Sequence, residues 1–194
     1  MILLISGPSG AGKSTVYHEL MRREPQLGFS VSTTTRPPRA GEQDGVDYHF
    51  VDMARFTDLL AEDAFLEWAE VHGQRYGTRR EHVAAMEAAG RIPLLDIDVQ
   101  GGVQVLDSCG AEIVSVFLFP PSWEALEARL RGRGTDSAEA VATRLKNARW
   151  EVGFAERYDY WVVNDEVDSA VLRLQAILLA ESCRRERFST PPLD

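Results

Sequence analysis

Residues Gly7-Pro8-Ser9-Gly10-Ala11-Gly12-Lys13-Ser14-Thr15 fit the pattern G-x-x-x-x-G-K-[ST]. They follow the apolar run Met1 to Ile5 and lead into Ser14 to Arg23, which reads as a helix limited by Pro25. A buried strand that turns through glycines into a helix gathers backbone N–H groups and the positive end of a helix dipole at one point. The pattern also arises in ordinary glycine-rich turns, but a position between strand and helix is what phosphate binding requires. Lys13 is expected to reach the β- and γ-phosphates of a nucleoside triphosphate, and Ser14 to offer its hydroxyl to Mg²⁺. The motif selects a triphosphate and leaves the acceptor open. The two lysines, Lys13 and Lys146, stand in no N/T-K-x-D signature, which argues against a GTP switch.

Further along, strands alternate with helices. Short alternating pieces, Phe29–Ser32 and Tyr48–Val51, predict a small β-rich insert from Phe29 to about Glu81. Within it, Asp52 is expected to N-cap a helix to Ala61. A helix from about Arg80 to Gly90 follows, then strands at Ile92–Val99 and Ile113–Phe119. Ser122 can N-cap a helix through Arg131. Asp136 with Glu139 resembles a capping box, opening a helix whose apolar stripe is Val141, Leu145, Ala148, Val152 and Ala155. Asp159–Asn164 reads as a further core strand, Val167 to Arg185 as the last helix, and Phe188 to Asp194 as a loose tail. This alternation implies an α/β fold with a parallel sheet covered on both faces and a ligand at the carboxyl ends of its strands.

Composition narrows the function. At 194 residues, 44% hydrophobic and 26% charged, the chain suits about one globular domain rather than a disordered or low-complexity one. It has no apolar run of the ~18 residues a membrane helix needs and no basic-flanked leader, so no membrane partner is expected. Two distant cysteines, Cys109 and Cys183, exclude a disulfide framework and point to a reducing, cytoplasmic setting. The four histidines show no zinc spacing. A net charge of -9 opposes long nucleic acids, so an anionic substrate would need arginines clustered locally.

Such clusters occur. Ser30-Val-Ser32-Thr-Thr-Thr-Arg36-Pro-Pro-Arg39-Ala-Gly-Glu42 is followed by Gly45-Val-Asp-Tyr48-His-Phe50, Phe65-Leu-Glu67-Trp-Ala69 and Tyr76-Gly-Thr78. Leu95-Asp96-Ile-Asp98-Val-Gln-Gly101, Arg129-Leu-Arg-Gly-Arg133-Gly-Thr135 and Val163-Asn164-Asp165 complete the series. On spacing alone, Arg36 and Arg39 read equally as a solvated basic turn, and Glu67 as a helix-end glutamate. In order and spacing from about Ile2 to Leu178, however, the set resembles the guanylate kinase family.

That resemblance implies a P-loop NTPase-type parallel sheet flanked by helices, with a small β-rich GMP-binding insert and a helical lid. Its expected layout is a core of 1–30, 82–122 and 150–187, a GMP-binding region of 31–81 and a lid of 123–149. The implied reaction moves the γ-phosphoryl of ATP to GMP or dGMP, with Mg²⁺. Gly7 to Thr15 and Asn164 would bind ATP. Arg36, Arg39, Tyr48 and Tyr76 would hold the GMP phosphate, forked cations and hydroxyls suiting a dianion. Ser32, Glu67, Thr78 and Asp98 would read guanine, whose edge offers N–H donors and the O6 acceptor. Asp96 and Ser14 would serve the metal, and Lys13, Arg129, Arg133 and Arg144 the transferred phosphoryl. Two alternatives remain at this point. One is a non-catalytic guanylate-kinase-like module that binds phosphopeptides. The other is a related kinase with a different acceptor, such as a ribose bisphosphate. Oligomeric state is left open.

Overall fold

The computed structural model describes residues 1–71, 73–109, 112–132 and 137–188. Its core is a five-stranded parallel sheet containing β1 (Ile2–Ser6), β2 (Leu27–Phe29), β7 (Ile92–Asp96), β8 (Ile113–Phe119) and β9 (Tyr160–Val163), in the order β2-β7-β1-β8-β9. Every residue of β1 is buried, because both faces of this central strand are covered. Leu3 and Ile5 pack with Val16 and Leu20 of α1 (Lys13–Arg23) and with Val171 and Leu174 of α7 (Val167–Ser182). Ile2 and Leu4 point the other way, toward Val83 of α3 (Arg80–Ala88) and Val105 of α4 (Val99–Cys109). The period-two alternation of a strand thus builds two cores from one short run.

A second sheet joins β3 (Thr33–Thr34), β4 (His49–Phe50), β5 (Phe65–Val71) and β6 (Gln74–Arg79) in the order β4-β3-β6-β5. Its helix α2 (Met53–Ala61) is N-capped by Asp52, which accepts from the Arg55 N–H at 2.7 Å, and buries Phe56 and Leu59 against Phe65. Helices α5 (Trp123–Arg131) and α6 (Ala138–Val152) pair through Leu126, Leu130, Val141 and Ala148, and Ser122 caps α5.

The structure departs from the sequence reading at several points. Phe29, read as the first residue of the β-rich insert, instead ends β2 of the core sheet: it pairs with Leu94 of β7 and stacks on Tyr17 of α1 with ring centroids 5.0 Å apart. The strand expected to Val99 ends at Asp96. Asp98 instead caps α4, its side chain accepting from the Gly101 N–H at 2.8 Å. Helix α6 is capped by Ser137, which accepts from the Ala140 N–H at 3.2 Å; Asp136 lies outside the described residues. Ala155 falls beyond Gly153, in a short 3₁₀ turn, and so leaves the α6 stripe. Helix α7 ends at Ser182, and a 3₁₀ turn at Arg185–Arg187 follows. The tail beyond Phe188 lies outside the described residues.

Candidate active site

The carboxyl end of β1 runs into the glycine-rich loop and then into α1. Gly12 caps α1 at φ +91°, and a Cβ there would lie 2.4 Å from Asn164 Nδ2, so only glycine fits. Asn164 Nδ2 donates to the Ala11 carbonyl at 2.7 Å. This fixes the amide's orientation and leaves its buried Oδ1 without a partner among the described residues. Arg129 is tied down too, donating to the Ala11 carbonyl at 3.1 Å and the Asn164 carbonyl at 3.0 Å. Gly10, Gly12, Ser14 and Thr15 face Arg129 and Asn164 across one cleft. The resemblance groups Arg129 with the lid arginines; here it also braces the loop floor. Lys13 curls back to donate to the Gly7 carbonyl at 2.8 Å. Arg144 Nη1 comes within 3.5 Å of Ser9 Oγ. Arg133 lies outside the described residues.

A second cleft opens beside the first. Its core wall is Lys13, Asp96 and Asp98, and the opposite wall carries Ser32, Tyr48, Glu67 and Tyr76. Six of the eight acceptor-side candidates therefore meet the cleft or directly support it: these four, Asp98, and Thr78 behind Glu67. Glu67, on β5, is only 6% exposed. Its Oε1 accepts from the Thr78 hydroxyl at 2.6 Å. Its Oε2 lies so close to Gly101 that a Cβ there would stand 2.4 Å away. Burial pushes the Glu67 carboxyl up to about 7; the Thr78 hydroxyl opposes that shift, and the nearby Asp98 adds to it. Thr78 has one hydroxyl proton and uses it on Glu67, so it supports the carboxyl rather than lining the cleft. Burial also raises Asp96, while Lys13 draws it back down.

Neither Arg36 nor Arg39 lines the cleft wall. Arg36 lies with its guanidinium carbon 5.2 Å from the Tyr48 ring centroid. It donates to Glu42 Oε1 and to the Pro37 carbonyl, both at 2.8 Å. Arg39 is exposed. Two acidic residues to which the sequence assigns no role also stand here. Glu42 had a legible signal, as an acid six residues after Arg36 in a Pro/Gly-rich turn. Glu151 lines a third cleft with Ser9, Asp98 and Arg144, and its Oε2 is buried without a partner among the described residues. Its only sequence signal was a spacing of seven from Arg144, which puts both on one helix face.

Among the described residues, no helix is long and apolar enough to cross a membrane. The guanylate kinase family model matches residues 1–181. A guanylate kinase of Anaeromyxobacter dehalogenans is 51% identical over 185 residues, covering 95% of this chain and 82% of that protein. One of Sphingopyxis alaskensis is 47% identical, with 96% and 85% covered. The crystal structure of guanylate kinase from Anaplasma phagocytophilum superposes with a TM-score of 0.77 at 36% identity, covering 95% of this chain and 87% of that one. With a glycine-rich loop and a second cleft meeting at Lys13, and with relatives of this similarity along nearly its whole length, the chain belongs to the guanylate kinase family of ATP:GMP phosphotransferases.

Proposed function

We propose that this chain moves the γ-phosphoryl of ATP to GMP, and equally to dGMP, with ATP in the cleft under Arg129 and GMP in the cleft around Glu67. The observation that carries this reading is the buried Glu67 carboxyl. One oxygen is held by Thr78 and the other is pressed over Gly101, in a cleft that Lys13 also lines. A carboxylate accepts from the N1–H and N2–H of guanine, whereas adenine offers that edge no matching pair of donors. Asn164 supports the ATP assignment. It lines the cleft at the glycine-rich loop, with Nδ2 held by the Ala11 carbonyl.

Segment 31–81 then serves as the GMP-binding region, 123–149 as the lid, and 1–30, 82–122 and 150–187 as the core. Arg36 and Arg39 hold the GMP phosphate together with the Tyr48 and Tyr76 hydroxyls. An oxygen of that phosphate attacks the γ-phosphorus as the bond to the β,γ-bridging oxygen breaks, giving ADP and GDP. The nucleophile is already anionic, so no general base is required. Lys13, Arg144 and Arg133 supply positive charge to the transferred group, and closure of the lid excludes water as a competing acceptor. Ser14 and Asp96 would hold Mg²⁺ brought with ATP. Both offer the hard oxygens that Mg²⁺ prefers, and one or two protein ligands suffice when phosphates and waters complete the shell. When bound, the ion neutralises phosphate charge.

The test is ADP release from ATP·Mg²⁺ with GMP, dGMP, AMP, CMP and dTMP in turn. Rapid turnover with GMP and dGMP is expected, with AMP slower by orders of magnitude. Equal rates with AMP would sink the assignment of Glu67. Folded protein that binds ATP but turns over none of the five would remove the reaction itself.

The Glu67 carboxyl also predicts a pH effect. In free protein it gains its proton as pH falls through about 7. Bound guanine donates to the ionised form and pulls the pKa down, so GMP binding releases a proton near neutrality. Binding strength present above pH 7 is lost below it, by about tenfold between pH 8 and pH 6. Carbon-13 NMR of labelled glutamate carboxyls follows Glu67 directly, apart from the titration of the GMP phosphate. A midpoint near 7 that drops by more than one unit with GMP is expected; a midpoint that GMP leaves unmoved would contradict the contact.

A further inference from the structure

Glu42 makes contacts that neither the reaction nor the base-reading residues account for. It lies in the connection between β3 and β4, three residues after Arg39 and six after Arg36. Both of its carboxylate oxygens are engaged. Oε1 accepts from Arg36 Nη2 at 2.8 Å, and Oε2 from the Arg39 backbone N–H at 2.7 Å. The Glu42 N–H in turn donates to the Arg39 carbonyl at 3.1 Å, closing the turn on itself. This ion pair is shielded, with side-chain exposures of 13% for Arg36 and 19% for Glu42. The remaining surroundings of Arg36 fix it further. Its N–H donates to Thr34 Oγ1 at 3.1 Å, its Nη1 to the Pro37 carbonyl at 2.8 Å, and its guanidinium lies beside the rings of Tyr48 and Phe50.

An arginine on a proline-flanked loop ordinarily samples many rotamers, and ordering it opposes binding. Here Glu42, the Pro37 carbonyl and two rings hold it with no ligand present. A guanidinium has five N–H donors in a fixed fork. Glu42 and Pro37 engage one each, leaving donors for a phosphate at the Tyr48 side. We propose that Glu42 is a positioning residue for the acceptor phosphate, holding Arg36 beside Tyr48 and Tyr76 and closing the 36–42 turn that carries Arg39. The contrary role is that of a stand-in anion, which occupies Arg36 and competes with the incoming dianion. The two roles predict opposite signs. The second oxygen favours positioning: a mere competitor has no need to anchor the Arg39 main chain, whereas a brace does.

The proposal rests on reading Arg36 and Arg39 as ligands of the GMP phosphate, so the experiment separates the two. Steady-state kinetics with varied GMP and with varied ATP are measured for the wild type, Glu42→Ala, Glu42→Gln, Arg36→Ala and the Glu42→Ala/Arg36→Ala double variant. Thermal midpoints serve as a folding check. Glu42→Ala is expected to raise the KM for GMP about tenfold, while kcat and the KM for ATP stay within about twofold, because preorganisation acts on binding. Glu42→Gln keeps the shape and one acceptor oxygen, and is expected to fall between wild type and Ala. In the Arg36→Ala background the Glu42 effect should shrink to about twofold, since it acts through Arg36. An unchanged or lowered KM in Glu42→Ala and Glu42→Gln, with a raised KM in Arg36→Ala, overturns the proposal and leaves the phosphate reading standing. A full tenfold effect persisting without Arg36 also overturns it. An unchanged KM in Arg36→Ala overturns both.

Discussion

Replacing Glu67 by glutamine lowers kcat/KM for GMP by about a thousandfold and leaves the KM for ATP within about twofold. Each hydrogen bond to a charged group contributes roughly 1.5–3 kcal/mol, so two from guanine give about 3–6 kcal/mol, or ~10²–10⁴ in rate. The amide retains one acceptor and turns an NH₂ donor toward guanine's own donors, which adds repulsion to the loss. Glutamine matches the volume of the buried side chain and can still accept from Thr78, so the fold is retained. The measurement is the coupled ADP assay with GMP and AMP, together with a thermal midpoint. A variant that keeps GMP turnover within tenfold would show that the carboxyl does not read the base. If AMP turnover rises while GMP turnover falls, the edge is being read as described.

Lys13→Met lowers kcat by about a thousandfold with little change in GMP affinity. Preorganised donors on a developing charge contribute ~10²–10³ each, and a lysine adds a full positive charge. Methionine preserves much of the apolar stem. The lost Nζ bond to the Gly7 carbonyl is local, and α1 retains its packing through Val16 and Leu20. Calorimetry of GMP binding and single-turnover chemistry separate the two effects. If the variant turns over at a tenth of the wild-type rate or better, Lys13 braces the loop and does not act on the transferred phosphoryl.

The donor side was legible because local rules govern it. An apolar run, glycines and a lysine in fixed order specify strand, loop and helix without help from distant residues. Asp52 and Ser122 announced their helices for the same reason: a cap is a contact within three residues. What escaped was non-local. Gly101 and Gly102 depress helix propensity, which hid α4. The fold needs them there, since a Cβ at Gly101 would strike Glu67 and one at Gly102 would stand 2.3 Å from the Tyr158 hydroxyl. Glu67 alone resembled a surface glutamate on a helix. Its burial follows from the pairing of Phe65–Val71 with Gln74–Arg79, and only the motif series as a whole pointed to its role. The engagements of Arg129 and Asn164 at Ala11 join residues more than a hundred positions apart, beyond the reach of spacing arguments.

Strands β1 and β7 are paired in parallel with Ile5 opposite Asp96. The phosphate loop leaves one of these strands and the cleft carboxylates leave the other, so the ladder between them acts as a ruler. Its graduations are whole residues of about 3.3 Å, and a slip of one graduation would also turn Asp96 to the opposite face. The spacing between the glycine-rich loop and the cleft carboxylates is therefore locked by main-chain pairing, out of reach of any single side-chain change. The 33–79 sheet shares no strand with that ladder. Residues of that second sheet can therefore change without shifting the register that holds loop and carboxylates together.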